Sequence, residues 1–238
     1  SDEATHTVTV MDKDGTITST LGNKGRKDGQ FNRPSSMAFD TLGNIIISDT
    51  LNHRVQRLDK EGRYLQTVGE FGNQDGQLNM PWGNAVDTEG NIYVTDWRND
   101  RVQKFSGDGK FLCQFGVSGE GVGELRRPTS VATDRDGDVY VVDWGNNRVQ
   151  IFDPYGEAIT SLHGDARELS KAAAAQVNAN PDLLKARRRA DITQEWTFRR
   201  ATAVETDNEN KIYVMEAISG RVQVYQKEED YTEAQFNL

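Results

Sequence analysis

An eight-residue pattern recurs along this chain at a fixed interval, and no other feature restricts its fold as much. Asp49 to Gln56, Asp96 to Gln103 and Asp143 to Gln150 all read D-x-x-N-x-R-V-Q, and their starts lie 47 residues apart. Phe31, Leu78 and Leu125 keep the same 47-residue interval, as do Pro34, Pro81 and Pro128, and Asp40, Asp87 and Asp134. Self-similarity on this scale marks stacked units that bury a continuous core only together. A fourth unit comes after a longer step: Phe198, Asp207, Glu216 and Val222 lie 73 residues beyond Leu125, Asp134, Asp143 and Val149, with Ser219 where the other units have Asn. Since 73 exceeds 47 by 26, an insertion of 26 residues separates the third and fourth units.

Within a unit, short apolar runs alternate with turn residues. The runs Ser35 to Phe39, Ile45 to Ser48, Val55 to Leu58 and Tyr64 to Val68 are bounded by Asp40-Thr41-Leu42-Gly43-Asn44, by Asp49 to His53 and by Asp59-Lys60-Glu61-Gly62. Asp and Asn bond their local backbone and Gly supplies positive φ, so each boundary predicts a turn between strands. Four consecutive antiparallel strands repeated about an axis make the blades of a propeller. The first segment, Thr7 to Thr18, aligns with the third and fourth strands of a unit, so about four and a half blades are expected in one domain spanning residues 1–238.

Composition agrees. The 35% hydrophobic content is low for a packed globule, and the 22 glycines suit many short strands joined by tight turns. A net charge of -9 disfavours a general affinity for nucleic acid or anionic membrane. No apolar run approaches the roughly 18 residues of a membrane span, which predicts a soluble chain, secreted or periplasmic if a signal peptide has been removed. The single cysteine, Cys113, excludes an intrachain disulfide framework.

The insertion reads differently from the units. Asp165 with Glu168 three residues on forms a capping-box pattern ahead of the Ala-rich Leu169 to Val177, and Asn180-Pro181 starts a second helix over Asp182 to Ala190. A helical hairpin is predicted over residues 165–192. Arg187, Arg188 and Arg189 near its end would offset the helix dipole.

The extended pattern, P-x-x-x-A-x-D-x-x-G-N-I-Y-V-x-D before D-x-x-N-x-R-V-Q and D-x-x-G-x-F-L-x-x-F-G after it, resembles the NHL repeat. Pro81 to Asp87 with Asn91 to Asp96 carries the match, which covers about residues 7 to 164 and 198 to 226. The resemblance implies an all-β propeller, six-bladed in its commonest form. It implies no single activity: such propellers serve as protein- or RNA-binding platforms in tripartite-motif ubiquitin ligases, as the lyase half of peptide-amidating enzymes and as sensors of bacterial kinases, and related propellers are calcium-dependent lactonases.

Candidate sites follow from the topology. The b–c turns and the connections between blades converge on one edge, the top, together with the starts of the inner strands. Arg33, Met80, Trp82, Arg127 and Arg200 would meet Trp97 and Trp144 there, a rim of the residue types favoured at binding hot spots. The acid and Arg pairs Asp49/Arg54, Asp96/Arg101, Asp143/Arg148 and Glu216/Arg221 recur in every unit, whereas a catalytic centre needs one differentiated set. They are read as turn-fixing ion pairs. Asp134-Arg135-Asp136-Gly137-Asp138 and Asp12-Lys13-Asp14-Gly15 lack the acid an EF-hand places at its twelfth position, and His6, His53 and His163 do not form a zinc motif. Asn84 is the best single candidate for a channel metal of the lactonase kind. No catalytic residue, metal or cofactor is assigned. The expected function is a binding scaffold for a protein, peptide or other ligand. The alternatives are a channel hydrolase or lyase and, third, RNA binding through Arg33, Arg127, Arg187 to Arg189, Arg199 and Arg200.

Overall fold

The computed structural model describes residues 1–164, 171–189 and 196–227. A hairpin of β1 (Val8–Met11) and β2 (Ile17–Leu21) opens the chain. A first four-stranded meander follows, β3 (Pro34–Phe39), β4 (Ile45–Asp49), β5 (Arg54–Leu58) and β6 (Tyr64–Val68). The second comprises β7 (Pro81–Val86), β8 (Ile92–Asp96), β9 (Arg101–Phe105) and β10 (Phe111–Phe115). A short parallel pair, β11 (Val117–Ser118) and β12 (Glu124–Leu125), leads into the third, β13 (Pro128–Thr133), β14 (Val139–Asp143), β15 (Arg148–Phe152) and β16 (Ala158–Leu162). After helices α1 (Lys171–Ala179) and α2 (Pro181–Arg187), β17 (Ala201–Thr206), β18 (Lys211–Glu216) and β19 (Arg221–Gln226) form a three-stranded sheet. Apart from the β11–β12 pair, each sheet pairs its strands in chain order and antiparallel, as the hairpin signals predict.

The first strands of successive sheets, β3, β7, β13 and β17, lie side by side, so the sheets are propeller blades around a common axis. The core is divided accordingly into thin layers between blades. Val8, Val55, Val102 and Val149, one from each third strand, are almost fully buried, and against them stand Phe31, Leu78, Leu125 and Phe198 from the loop entering the next blade. Each of these four plugs is at most 1% exposed. The loop reaches the plug through a glycine: Gly69 has φ +79°, and a Cβ there would stand 2.4 Å from the Leu78 side chain. Repeating thin layers explain how a chain with a mean hydropathy of -0.72 is buried enough to fold.

Three boundaries differ from the sequence reading. The turn pattern extends one copy further back, because Asp2 bridges Thr7 as Asp49 pairs with Arg54 in the next blade; the first segment therefore contributes a b–c turn as well as two strands. The second helix starts as expected, with the Asn180 side chain accepting from the N–H groups of Asp182 at 3.0 Å and Leu183 at 3.3 Å, but it ends at Arg187, and residues 188–189 form a turn. The first helix extends two residues past Val177, to Ala179. The predicted capping box of Asp165 and Glu168 lies outside the described residues. The insertion is pinched at its base, where the Phe198 N–H donates to His163 O at 2.8 Å.

Replacing the plug Leu125 by Ala is expected to destabilise the protein by about 2–5 kcal/mol, whereas Leu112→Ala, on an exposed fourth-strand position, should stay within about 0.5 kcal/mol. Chemical denaturation of both variants measures the contrast. Equal losses would mean that the interblade layers do not carry the stability.

Candidate functional site

The turn edge is built around a buried carboxylate in each blade. In the second blade, Asp96 ends β8 with no exposure. Its Oδ1 accepts from the Asn79 N–H at 2.6 Å, and its Oδ2 accepts from Asn99 Nδ2 at 2.8 Å, Arg101 Nε at 2.9 Å and Gln103 Nε2 at 3.3 Å. The same set recurs around Asp49 with Asn32, Asn52, Arg54 and Gln56, and around Asp143 with Arg126, Asn146, Arg148 and Gln150. Glu216 uses Arg199 N–H, Ser219, Arg221 and Gln223. Each donor that touches the acid also grips the loop entering its blade: Arg101 Nη2 donates to Gln74 O and Gln77 O, both at 2.9 Å, and Asn99 Nδ2 to Gly72 O at 2.9 Å. The recurring spacing of the pattern therefore places four donors on one carboxylate, one on Oδ1 and three on Oδ2.

Burial pushes the Asp96 carboxyl above the usual carboxylate range, against the hydrogen bonds from Asn79, Asn99 and Arg101 that pull it down. At Glu216 burial also acts upward, but the bonds from Arg221, Gln223, the Arg199 N–H and Ser219 overcome it, and its carboxyl lies below the usual range.

A second repeated bond joins neighbouring blades. The residue before each inner strand, Arg33, Met80, Arg127 or Arg200, has φ between 53° and 61°. Its N–H donates to a side chain of the preceding blade's turn: His6 Nδ1 at 2.9 Å, His53 Nδ1 at 3.0 Å, Asp100 Oδ1 at 2.8 Å and Asn147 Oδ1 at 2.8 Å respectively. Those acceptors have positive φ too, a conformation Asn, Asp and His tolerate better than most residues. His6 and His53 are thus acceptors of backbone bonds, and burial, with Arg98 and Arg26 nearby, lowers the His53 pKa.

Above these bonds, the side chain of the residue before each inner strand meets the residue that follows the acid in the preceding blade's turn. Arg33 pairs with Glu3 at 2.7 Å; the Arg127 guanidinium lies 4.4 Å from the Trp97 ring centre, and that of Arg200 lies 5.3 Å from Trp144. Trp97 also stands 6.0 Å from Trp82, and Trp82 shares a small recess with Arg33, Met80 and Glu3. The structure therefore joins Arg33, Met80, Trp82, Trp97 and Arg127 into one run of contacts, with Trp144 and Arg200 as a second group. The two tryptophans differ: Trp144 packs partly onto the layer between the third and fourth blades, while Trp97 lies on the rim between Trp82 and the Arg127 guanidinium.

At the opposite edge, each first hairpin is closed by an Asp that accepts from its own loop, as Asp134 Oδ1 does from the N–H groups of Asp136 and Asp138 at 3.0 Å. The positive charge beside this acidic loop is the ammonium of Lys227, at 2.7, 2.6 and 2.8 Å from Asp134, Asp136 and Asp138. Burial works against that ammonium's charge, and the three acids raise its pKa regardless. No group of three or more metal-ligating side chains occurs among the described residues.

Sequence reasoning missed four participants. Asp2 and His6 were legible as a fifth copy of the turn at the same spacing. Lys227, far from its acids in sequence, gave no signal. Glu205 replaces the alanines Ala38, Ala85 and Ala132 of its column. It lines the space between the inner strands with its side chain exposed to water, and partial loss of hydration there raises its pKa.

Comparison with known proteins fits this geometry. The NHL repeat family matches residues 31–58, 78–105 and 125–152, each running from an interblade plug to the end of a third strand. No curated protein matches the sequence. Among solved structures, a catalytically inactive H270A virginiamycin B lyase from Staphylococcus aureus with quinupristin is similar at 14% identity and TM-score 0.58, covering 94% of this chain and 64% of that one. A Bacteroides thetaiotaomicron protein of unknown function matches at 19% identity and TM-score 0.61, over 93% and 54% of the two chains, and a chain of a nidogen/laminin complex at 18% and 0.56, over 90% and 69%. The chain thus spans about two thirds or less of the lyase and Bacteroides structures. At these identities the likeness shows the propeller fold.

Asp96→Ala is expected to cost about 3–5 kcal/mol, because Arg101 would stay buried without its acid. Unchanged melting would refute the turn-fixing role. Because the Glu216 carboxyl is lowered in the fold, the unfolded chain takes up its proton first as pH falls. Its contribution is complete above the ordinary pKa of 4.5 and fades below it. Thermal melts across that range should show a shallower acid loss for Glu216→Gln.

Proposed function

We propose that this NHL-repeat β-propeller is a binding scaffold with no chemistry of its own, and that its turn edge recognises a protein or peptide segment. The observation that carries this reading is the run of paired aromatic and guanidinium groups. Trp82, Trp97 and Arg127, with Trp144 and Arg200 beside them, supply rigid area and charge where Thr50 and Ala217 stand in other blades. A guanidinium stacked on a ring keeps its N–H edge for a carboxylate, so the preferred segment is acidic and carries an apolar anchor. The recurring acids support this reading, since each is buried and engaged by four donors of its own blade. The similar chain from a nidogen/laminin complex agrees with a partner-binding role for such a propeller. The lyase alternative has less support: His6 and His53 are occupied as acceptors of backbone bonds, and Trp82 and Trp97 fill the rim between them and the third blade.

Panning a displayed peptide library on the protein should enrich acidic peptides. Their affinity should fall about tenfold or more with Trp97→Ala or Arg127→Ala, the scale of a hot-spot residue, without loss of melting temperature. Peptides indifferent to both substitutions, or turnover of ester or lactone substrates lost on chelation, would overturn the proposal.

A further inference from the structure

One recess reverses the charge pattern of its sister blades. It encloses about 360 Å³ beside the b–c turn of the first blade and is lined by Arg26, Leu51, Asn52, His53, Arg54 and Phe71. Three pieces of chain meet there. The loop entering the blade brings Arg26, the turn and the start of β5 bring Leu51 to Arg54, and the loop leaving the blade brings Phe71. At the 47-residue interval, Arg26 corresponds to Asn73 and Glu120, His53 to Asp100 and Asn147, and Phe71 to Ser118. Both sister sets therefore contain an acid, Asp100 or Glu120, while no acid lines the recess of the first blade. Asp49, beneath Arg54, is fully buried and engaged by its own turn. A blade packs without Arg26, His53 and Phe71, as its sisters show, and departures of this kind cluster where a protein uses a site.

The groups in this recess offer open N–H bonds. The Met80 N–H donates to His53 Nδ1 at 3.0 Å. A backbone N–H only donates, so Nδ1 carries no proton and the imidazole proton sits on Nε2. Among the described residues Nε2 has no hydrogen-bond partner, and it is not closed off from solvent. The Arg26 side chain is exposed and makes no ion pair among the described residues. Arg54 uses Nε on Asp49 and Nη2 on the carbonyls of Lys27 and Gln30. Its Nη1 stays open, because the first blade has Thr67 where the second has Gln114, the acceptor of Arg101 Nη1. Phe71 is 65% exposed, and its ring stands 4.7 Å from the His53 imidazole at 62°, an edge-to-face contact that leaves most of the ring outside the protein. Open guanidinium and imidazole donors beside an exposed ring match a ligand that carries negative acceptor oxygens on an aromatic body.

We propose that this recess binds a small aromatic oxyanion, its carboxylate or phosphate oxygens accepting from Arg26, Arg54 Nη1 and His53 Nε2 and its ring lying against Phe71. The recess shares no lining residue with the run of Trp82, Trp97 and Arg127, so the two readings stand or fall separately.

The test is a titration of the whole chain, followed by amide chemical shifts, at constant ionic strength. The probes are sodium benzoate, phenyl phosphate, their ringless counterparts acetate and inorganic phosphate, and benzyl alcohol as the neutral isostere of benzoate. Saturable shifts at residues 25–27, 52–54 and 70–72 are expected with benzoate, phenyl phosphate or both, and the tighter of the two identifies the head group. Benzyl alcohol should bind about tenfold more weakly or not at all, as expected when a charged hydrogen bond is lost. Each ringless anion should bind severalfold more weakly than its aromatic counterpart. Arg26→Glu, which copies the third blade, should weaken binding about tenfold or more, and Arg26→Gln provides the readout should the Glu variant disturb the loop. His53→Asn, also a copy of the third blade, keeps an acceptor for the Met80 N–H, removes the Nε2 donor and should weaken binding severalfold. Phe71→Ser, a copy of the second blade, should bring the aromatic probes down to the affinity of the ringless ones. The absence of saturable shifts with both aromatic anions, benzyl alcohol or the ringless anions binding as tightly, or binding unchanged in any of these variants would each overturn the proposal.

Discussion

Everything in this structure depends on a carboxylate that has been taken out of water. An acid with no exposure is unfavourable unless its charge is matched and its lone pairs are used, and Asp49, Asp96 and Asp143 meet both conditions in the same way. Their partners come from two places. The Arg, Asn and Gln belong to the turn and strand just after the acid, while the backbone N–H comes from the loop that enters the same blade. Those side chains extend the grip by donating to that loop's carbonyls. The interaction therefore sets where each loop approaches its blade, and with it where the plug residue enters the layer between blades. The apolar contacts supply most of the burial, and the acid fixes the register in which they are made.

A propeller built this way has two ends of different chemistry. At the turn edge, the loop approach and the bond from the preceding blade hold the residue before each inner strand at positive φ, so its side chain leans over the neighbouring turn. Whatever the sequence places in those two columns must meet: Glu3 with Arg33, Trp97 with Arg127, Trp144 with Arg200. At the other end, the inner strands draw together residues from four blades, and single departures from the repeat, Asn84 and Glu205, share one space. In both places the regular columns are occupied by structure, and the exceptions carry the chemical individuality. Function in such a chain is to be sought in the differences between blades.

Much of the fold was legible. The 47-residue interval, the strand lengths and the hairpin turns follow from local chemistry, since Asp accepting from its own loop and Gly adopting positive φ are decided within a few residues. The pairing of Asp96 with Arg101 was legible for the same reason, five residues being the span of one tight turn. The second helix was read correctly at its start, where Asn180 and Pro181 act locally, and overrun at its end, where the arginine run carries no stop signal. The gathering of Trp97 and Arg127 on one edge followed from the topology, but which ring each guanidinium stacks on, and the meeting of Lys227 with three aspartates, were not legible. Each joins residues of different blades, and no local rule reports which side chains face each other across a blade boundary.

What the sequence determined by itself is the repeat: an all-β propeller, the residues of each blade, and the acids committed to the turns, because these depend on periodicity and on contacts within a single unit. The tertiary structure alone decided how the columns face one another. It split the two tryptophans, placing Trp144 against an interblade layer and Trp97 on the rim, and it brought Asn84 and Glu205 to one cavity across an intervening blade. The physical reason is that blade stacking is a rotation about the axis. A column position becomes a buried, rim or channel position only once the neighbouring blade has been set against it.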